Sequence, residues 1–205
     1  MVPRVKSHTE ELAATLVDVT ARLLAEHGPA GVTTRAVATA AGTSTTAVYS
    51  LYGGKGGLLQ AVYVTGYGRL KAALRQVPQS DRPIADLLAL AHAYRTSALN
   101  DPHLYELLFG RRVLGFVLDE KALAAARQAQ QPLREAVRRC QETKALTGKE
   151  NDLVTGLWAA LHGLVSLELH GWLGDDPHTC EQRFRAALLV LCPEMQQDGG
   201  GAVSP

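Results

Sequence analysis

Residues 33–57 read "TTRAVATAAGTSTTAVYSLYGGKGG", and this spacing leaves little choice of local fold. Thr33 precedes a short apolar-periodic run carrying Val37 and Ala40 or Ala41. Ser44 precedes a second run that passes through Val48 to about Leu51. Hydroxyl side chains accept from the free N–H groups at helix starts, so both residues are expected to be N-caps. Gly42 permits the turn between the runs, and the glycines from Gly53 end the second. Two short helices joined in this way form a helix-turn-helix, whose second helix enters the major groove and reads base edges near its N-terminus.

The residue types suit that task. Ser44, Thr45, Thr46 and Ala47 are short enough for close approach. Their hydroxyls donate or accept, and methyl groups pack on thymine methyls. Thr33, Thr34 and Arg35 open the first helix, where free N–H groups favour a phosphate. Tyr49 and Lys55 are further phosphate contacts, Thr43 lies in the turn, and Thr45, Thr46 and Ser50 are placed to supply base choice. The charge pattern agrees. Residues 1–80 hold eight of the 21 bases but only four of the 20 acids, and no acid occurs from His27 to Ser80. This asymmetry points to a polyanion near the N-terminal third. A nucleotide-binding loop is the competing reading of "GGKGG", but that loop needs G-x-x-x-x-G-K-[S/T] after a strand, and neither is present here.

The segment "TTRAVATAAGTSTTAVYSLYGGKGGLLQAV" resembles the DNA-binding domain of the TetR family of bacterial transcriptional regulators. Thr33, Ala38, Ala41, Gly42, Ser44, Tyr49, Lys55, Leu58 and Leu59 match its pattern directly, and Val37, Val48 and Tyr52 are mild variants. Thr43 replaces a common valine, Leu51 stands where a polar residue is frequent, and Gly56 and Gly57 replace polar helix starters. The resemblance covers about residues 9–65. It implies a three-helix DNA-binding domain, here 1–57, followed by an effector-binding and dimerisation domain, here 58–195. It also implies a regulator of double-stranded DNA, in this family most often a repressor. Trp158, His162 and Gly163 are similar to the W-x-x-x-H-G signature of one branch of the family's C-terminal domains.

Periodicity is helical nearly throughout, so the class is all-α, with about nine helices. The first carries Leu12, Leu16, Val19, Leu23 and Leu24 and closes at Gly28 and Pro29. A long one starts near Leu58, and others are expected near 83–98, 102–117, 119–144, 150–172 and 178–191. Residues 150–172 are apolar nearly all round, so that helix is buried on several sides. Leu153, Leu157, Leu161 and Leu164 there, with Phe184, Leu188 and Leu191, are expected to pair with a symmetry copy in a homodimer. Aromatic or polar-tipped residues on apolar faces are the pocket candidates: Tyr63, Tyr67, His92, Tyr94, Tyr105, Phe109, Phe116, Trp158 and His162. Each is also readable as plain core. The glycines at 53, 54, 56 and 57 are expected to hinge the long helix on the reading head.

No apolar run approaches a membrane span and no signal-peptide core opens the chain, so a cytoplasmic protein is expected. Cys140, Cys180 and Cys192 are expected to be buried thiols, and Arg138–Arg139 a solvated helix face. His170, Asp175, Asp176, His178 and Cys180 fit no standard metal spacing, and Asp-Asp-Pro reads as a turn and helix start. No metal, cofactor or catalytic pair is expected. The tail 196–205 has too little apolar content to fold alone. The leading reading is a homodimeric repressor of a palindromic operator, released by a small, mostly apolar effector. The alternatives are an effector-free regulator with a filled core, an activator, and, as a different class, an enzyme.

Overall fold

The computed structural model describes residues 4–109 and 116–191, and all regular structure among them is helical. The helices are α1 (Arg4–Gly31), α2 (Thr34–Ala40), α3 (Thr45–Tyr52), α4 (Lys55–Arg75) and α5 (Pro83–Asn100). They continue with α6 (Pro102–Phe109), α7 (Glu120–Ala129), α8 (Gln131–Glu142), α9 (Glu150–Leu169) and α10 (Pro177–Leu191). None among the described residues is long and apolar enough to cross a membrane. The 196–205 tail and Cys192 lie outside the described residues.

Two expected helices are corrected. The 119–144 segment is two helices, because Pro132 sits in the first turn of α8. There its missing N–H is harmless, whereas inside one long helix it would cost about 3 kcal/mol. Of the 102–117 segment, Pro102–Phe109 is helical, residues 110–115 lie outside the described residues, and 116–119 are non-helical. Asp119 then caps α7, its Oδ1 accepting from Ala122 N at 2.8 Å. Gly28, at φ 65°, breaks α1 near the expected place, though a last turn resumes through Gly31.

By packing, the chain divides into two compact units, residues 1–69 with 101–129, and 70–100 with 130–205. In the first, α2 lies against both α1 and α3. Leu16, Val19 and Leu24 of α1, with Val32, bury Val37, Ala38 and Val48 together with Leu58 and Leu59 of α4. Val17, Val62 and Leu104 continue this core toward α6. Each such side chain contributes roughly 1.5–3 kcal/mol on full burial, so α2 and α3, too short to persist alone, are held by this tertiary core.

In the second unit α5 contacts α8 and α9, and α9 contacts α10. Arg95 of α5 and Glu168 of α9 form a buried bidentate pair at 2.7 and 2.6 Å, with the guanidinium over the Phe184 ring. Asp86 accepts from Ser80 N, Ser80 Oγ and Arg139 Nη1 at 2.7–2.8 Å. Burial pushes its carboxyl up, but these bonds together hold it below its usual value. The Arg138–Arg139 pair is therefore no mere solvated face: Arg138 also bonds Glu150, at 2.7 Å. Cys140 and Cys180 are buried thiols.

A close approach joins α3 to α4. A Cβ on Gly57 would lie 1.8 Å from the Tyr52 carbonyl oxygen, whereas one on Gly56 meets nothing within 4 Å. Gly57→Ala should therefore destabilise the chain by about 1–3 kcal/mol, as overpacking does. Gly56→Ala should be neutral or stabilise by up to about 1 kcal/mol. Urea unfolding of the two variants checks this; equal midpoints would show that the contact relaxes freely.

Candidate functional site

The helix-turn-helix is built from its caps outward. Thr33 Oγ1 accepts from Ala36 N at 3.1 Å, and Ser44 Oγ from Ala47 N at 3.2 Å. Between them Gly42, at φ 65°, closes α2: Thr43 N donates to Ala38 O at 2.9 Å and Gly42 N to Thr39 O at 3.2 Å. This paired pattern is the Schellman end, which favours glycine at the left-handed position. Gly53 ends α3 in the same conformation, at φ 68°.

The turn fixes which face of α3 looks outward. Thr45, Thr46, Tyr49 and Ser50 are exposed and, spaced i, i+1, i+4 and i+5, share one face. Val48 is fully buried on the opposite face. Thr33 and Arg35 are exposed at the start of α2, while Thr34 and Thr43 are half-buried. Tyr49 is 58% exposed, with its ring against Gly54. Thr33, Thr34 and Arg35 thus lie at the start of α2, Ser44, Thr45 and Thr46 at that of α3, Tyr49 and Ser50 farther along α3 and Lys55 at the start of α4, and neither α2 nor α3 carries a carboxylate.

Three residues have roles inside the protein that the sequence does not announce. Lys55 Nζ donates to the Pro29 carbonyl at 2.5 Å, tying the start of α4 to the end of α1. Leu51, where the family favours a polar residue, packs against the apolar core. Tyr52 donates its hydroxyl to Ala13 O at 2.8 Å, and burial raises its phenol pKa.

The pocket candidates separate. Tyr63, Tyr67, Tyr105, Phe109 and Phe116 belong to the first compact unit and form one aromatic cluster. Tyr63 stacks on Phe116 at 5.8 Å between centroids, and Tyr105 lies 5.0 Å from Phe109. A cavity of about 320 Å³ opens beside them, lined by Tyr63, Tyr67, Leu107, Leu108, Phe116, Val117, Leu118 and Leu123. Nothing in the sequence sets these leucines and Val117 apart from other apolar residues. His92, Tyr94, Trp158 and His162 belong to the second unit. Burial lowers the His92 pKa; Glu181 opposes this, while Arg95 and Arg185 add to it, and the ring lies 5.7 Å from that of Phe184.

The proposed dimer residues need correction. Leu161, Phe184 and Leu188 are 3%, 0% and 1% exposed within a single protomer, so they join α9 and α10 to their own unit and have no surface to offer a second copy. Leu153, Leu157 and Leu164 are half-buried. Leu191 ends α10, and its side chain lies outside the described residues. In the His/Asp/Cys segment, Asp176 Oδ2 caps α10 by accepting from Thr179 N and Oγ1, each at 2.8 Å. Cys180 points instead to Gly174 O.

Two family models match the chain. Residues 16–62 fit the bacterial regulatory proteins of the tetR family, and residues 87–191 fit the tetracyclin repressor-like C-terminal domain. The chain belongs to the TetR family. An HTH-type transcriptional regulator of Mycobacterium tuberculosis and one of Mycobacterium bovis are each 28% identical over 198 residues, covering 82% of this chain and 84% of theirs. The regulatory protein SCO4313 shares the fold at a TM-score of 0.76 and 24% identity, over 94% of this chain and 100% of its own. A TetR-family regulator from Marinobacter aquaeolei VT8 does so at 0.71 and 20% identity, over 90% and 96%. The helix-turn-helix is thus that of a DNA-binding transcriptional regulator, a TetR-family protein that works by binding rather than catalysis.

The caps and the reading face separate in one experiment. Ser44→Ala should cost about 1 kcal/mol of stability through the lost cap, and Thr46→Ala within about 0.5 kcal/mol of nothing. Thermal unfolding of both decides; a Thr46→Ala loss equal to that of Ser44→Ala would mean that Thr46 is structural.

Proposed function

We propose that the protein is a cytoplasmic, homodimeric repressor of a palindromic operator, released by a small, mostly apolar effector. The observation that carries the DNA-reading part is the exposed face of Thr45, Thr46, Tyr49 and Ser50 above a buried Val48. Short side chains there address base edges, while Thr33, Thr34, Arg35, Tyr49 and Lys55 hold phosphates.

The effector is read from the first unit's cavity. Among the described residues its lining side chains are uncharged, with the Tyr63 and Tyr67 hydroxyls as its polar groups. Against these side chains a charged ligand would lose its hydration without gaining a counter-charge, which favours an uncharged one. This open space speaks against the filled-core alternative. Dimerisation is supported by apolar surface on the last two helices: Leu167 is 45% and Val190 76% exposed. A two-fold protein matches half-sites about 34–36 Å apart, or a multiple of that.

Selection of bound duplexes from random DNA is the test, and it should return a palindrome. Lys55→Ala should then weaken all sequences alike and reduce the salt slope by about one, while Thr46→Ala changes the preferred bases. An unchanged slope would leave Lys55 with its Pro29 bond alone. Leu167→Arg or Val190→Arg should give folded monomers by sedimentation; wild type that is already monomeric at micromolar concentration would remove the dimer.

A further inference from the structure

Gln60, Tyr63 and Tyr67 fall at i, i+3 and i+7 on α4 and so share one face. All three grip the walls of the cavity. Tyr67 donates its hydroxyl to Leu108 O at 3.2 Å, at the end of α6. Tyr63 stacks on Phe116 with an interplanar angle of 16°. Gln60 uses both ends of its amide on the non-helical stretch ahead of α7: Nε2 donates to Val117 O at 2.9 Å, and Oε1 accepts from Asp119 N at 3.1 Å. One orientation of the amide satisfies both bonds, since its carbonyl only accepts and its NH₂ only donates. Asp119 in turn caps α7.

The position of Gln60 on α4 gives this grip its meaning. It directly follows Leu58 and Leu59, which are 0% and 2% exposed in the same core as Val37 and Val48 of the reading head. The wall stretch, the cavity, the latch and the reading helix all belong to one compact unit. A side-chain amide bonded to two backbone groups is tied to their position, and a helix is one of the rigid elements that carry coupling between sites. Tyr63 and Tyr67 hold the cavity farther along α4, by ring contact and at the α6 end.

We propose that Gln60 is a positioning residue for DNA binding: its amide ties the 117–119 wall of the cavity to the first turns of α4, and cavity filling reaches the reading helix through this latch. This rests on the reading of the cavity as the effector site. Without the latch the cavity still takes its ligand, but α3 no longer responds.

The experiment uses the full chain, the operator duplex selected by the wild type, and N-phenyl-1-naphthylamine, an uncharged apolar molecule whose fluorescence rises on burial. Gln60→Met keeps the length and loses both bonds; Gln60→Glu keeps the acceptor and sets a carboxylate against the Val117 carbonyl. In the wild type, saturating probe should change operator affinity by about fivefold or more. Both variants should bind the probe within about twofold of wild type and show less than about twofold change in operator affinity. Probe binding kept while coupling is lost is not what a merely structural residue produces, because a loosened wall loses both. Variants with full coupling overturn the latch, as do variants that lose probe binding with it. A wild type that does not take up the probe, or takes it up with no change at the operator, overturns the effector reading and the latch with it, an outcome distinct from the others.

Discussion

The reading head depends on the absence of a side chain at Gly57. The first turn of α4 lies directly on the last carbonyls of α3, where even a methyl group would meet the Tyr52 oxygen. Tyr52 also reaches back to Ala13 O through its hydroxyl, and Lys55 holds the Pro29 carbonyl. Three helices thus converge on one short joint. The glycines expected to loosen it divide the work differently. Gly53 and Gly54 take positive φ values, 68° and 118°, for the chain reversal, and Gly57 supplies clearance. The joint is closely packed at Gly57 and bonded through Tyr52 and Lys55.

The local features of the site were legible because short-range geometry produces them. A hydroxyl three residues ahead of the N–H it caps, or a glycine at a left-handed position, leaves the same trace in any fold; hence Thr33, Gly42 and Ser44 read correctly. Pro132 carries the signal for the α7–α8 break as well, since proline is tolerated in the first turn of a helix and not in its interior. What was not legible depends on partners far along the chain. Gln60 looks like any half-exposed helical glutamine until Val117 and Asp119 are seen beside it. Leu161, Phe184 and Leu188 show the complementary difficulty. An all-round apolar helix has the same sequence whether its own protomer or a second one covers it, and here α9 and α10 are covered at these positions from within.

The second unit depends more on polar bonds than its apolar sequence implies. Arg95 and Glu168 are taken out of water together, and removing either would leave a buried unpaired charge at a cost of about 3–5 kcal/mol. Such a pair adds little net stability over a well-packed apolar one, but it penalises every other register of α5 against α9. Asp86 with Ser80 and Arg139 sets the α5–α8 relation in the same way.

The chain passes from one compact unit to the other three times, at 69/70, 100/101 and 129/130. The last two passages fall at helix ends, between α5 and α6 and between α7 and α8. The first lies inside α4, where the backbone bonds run on without interruption. Added residues are therefore absorbed unequally. An insertion at 100/101 or 129/130 lengthens a connection, at a cost that grows only with the logarithm of loop length. A single residue inserted at 69/70 turns everything beyond it by about 100° about the helix axis, since α-helices have 3.6 residues per turn. Length variation among natural sequences of this architecture would thus collect at the two helix junctions and avoid the middle of α4.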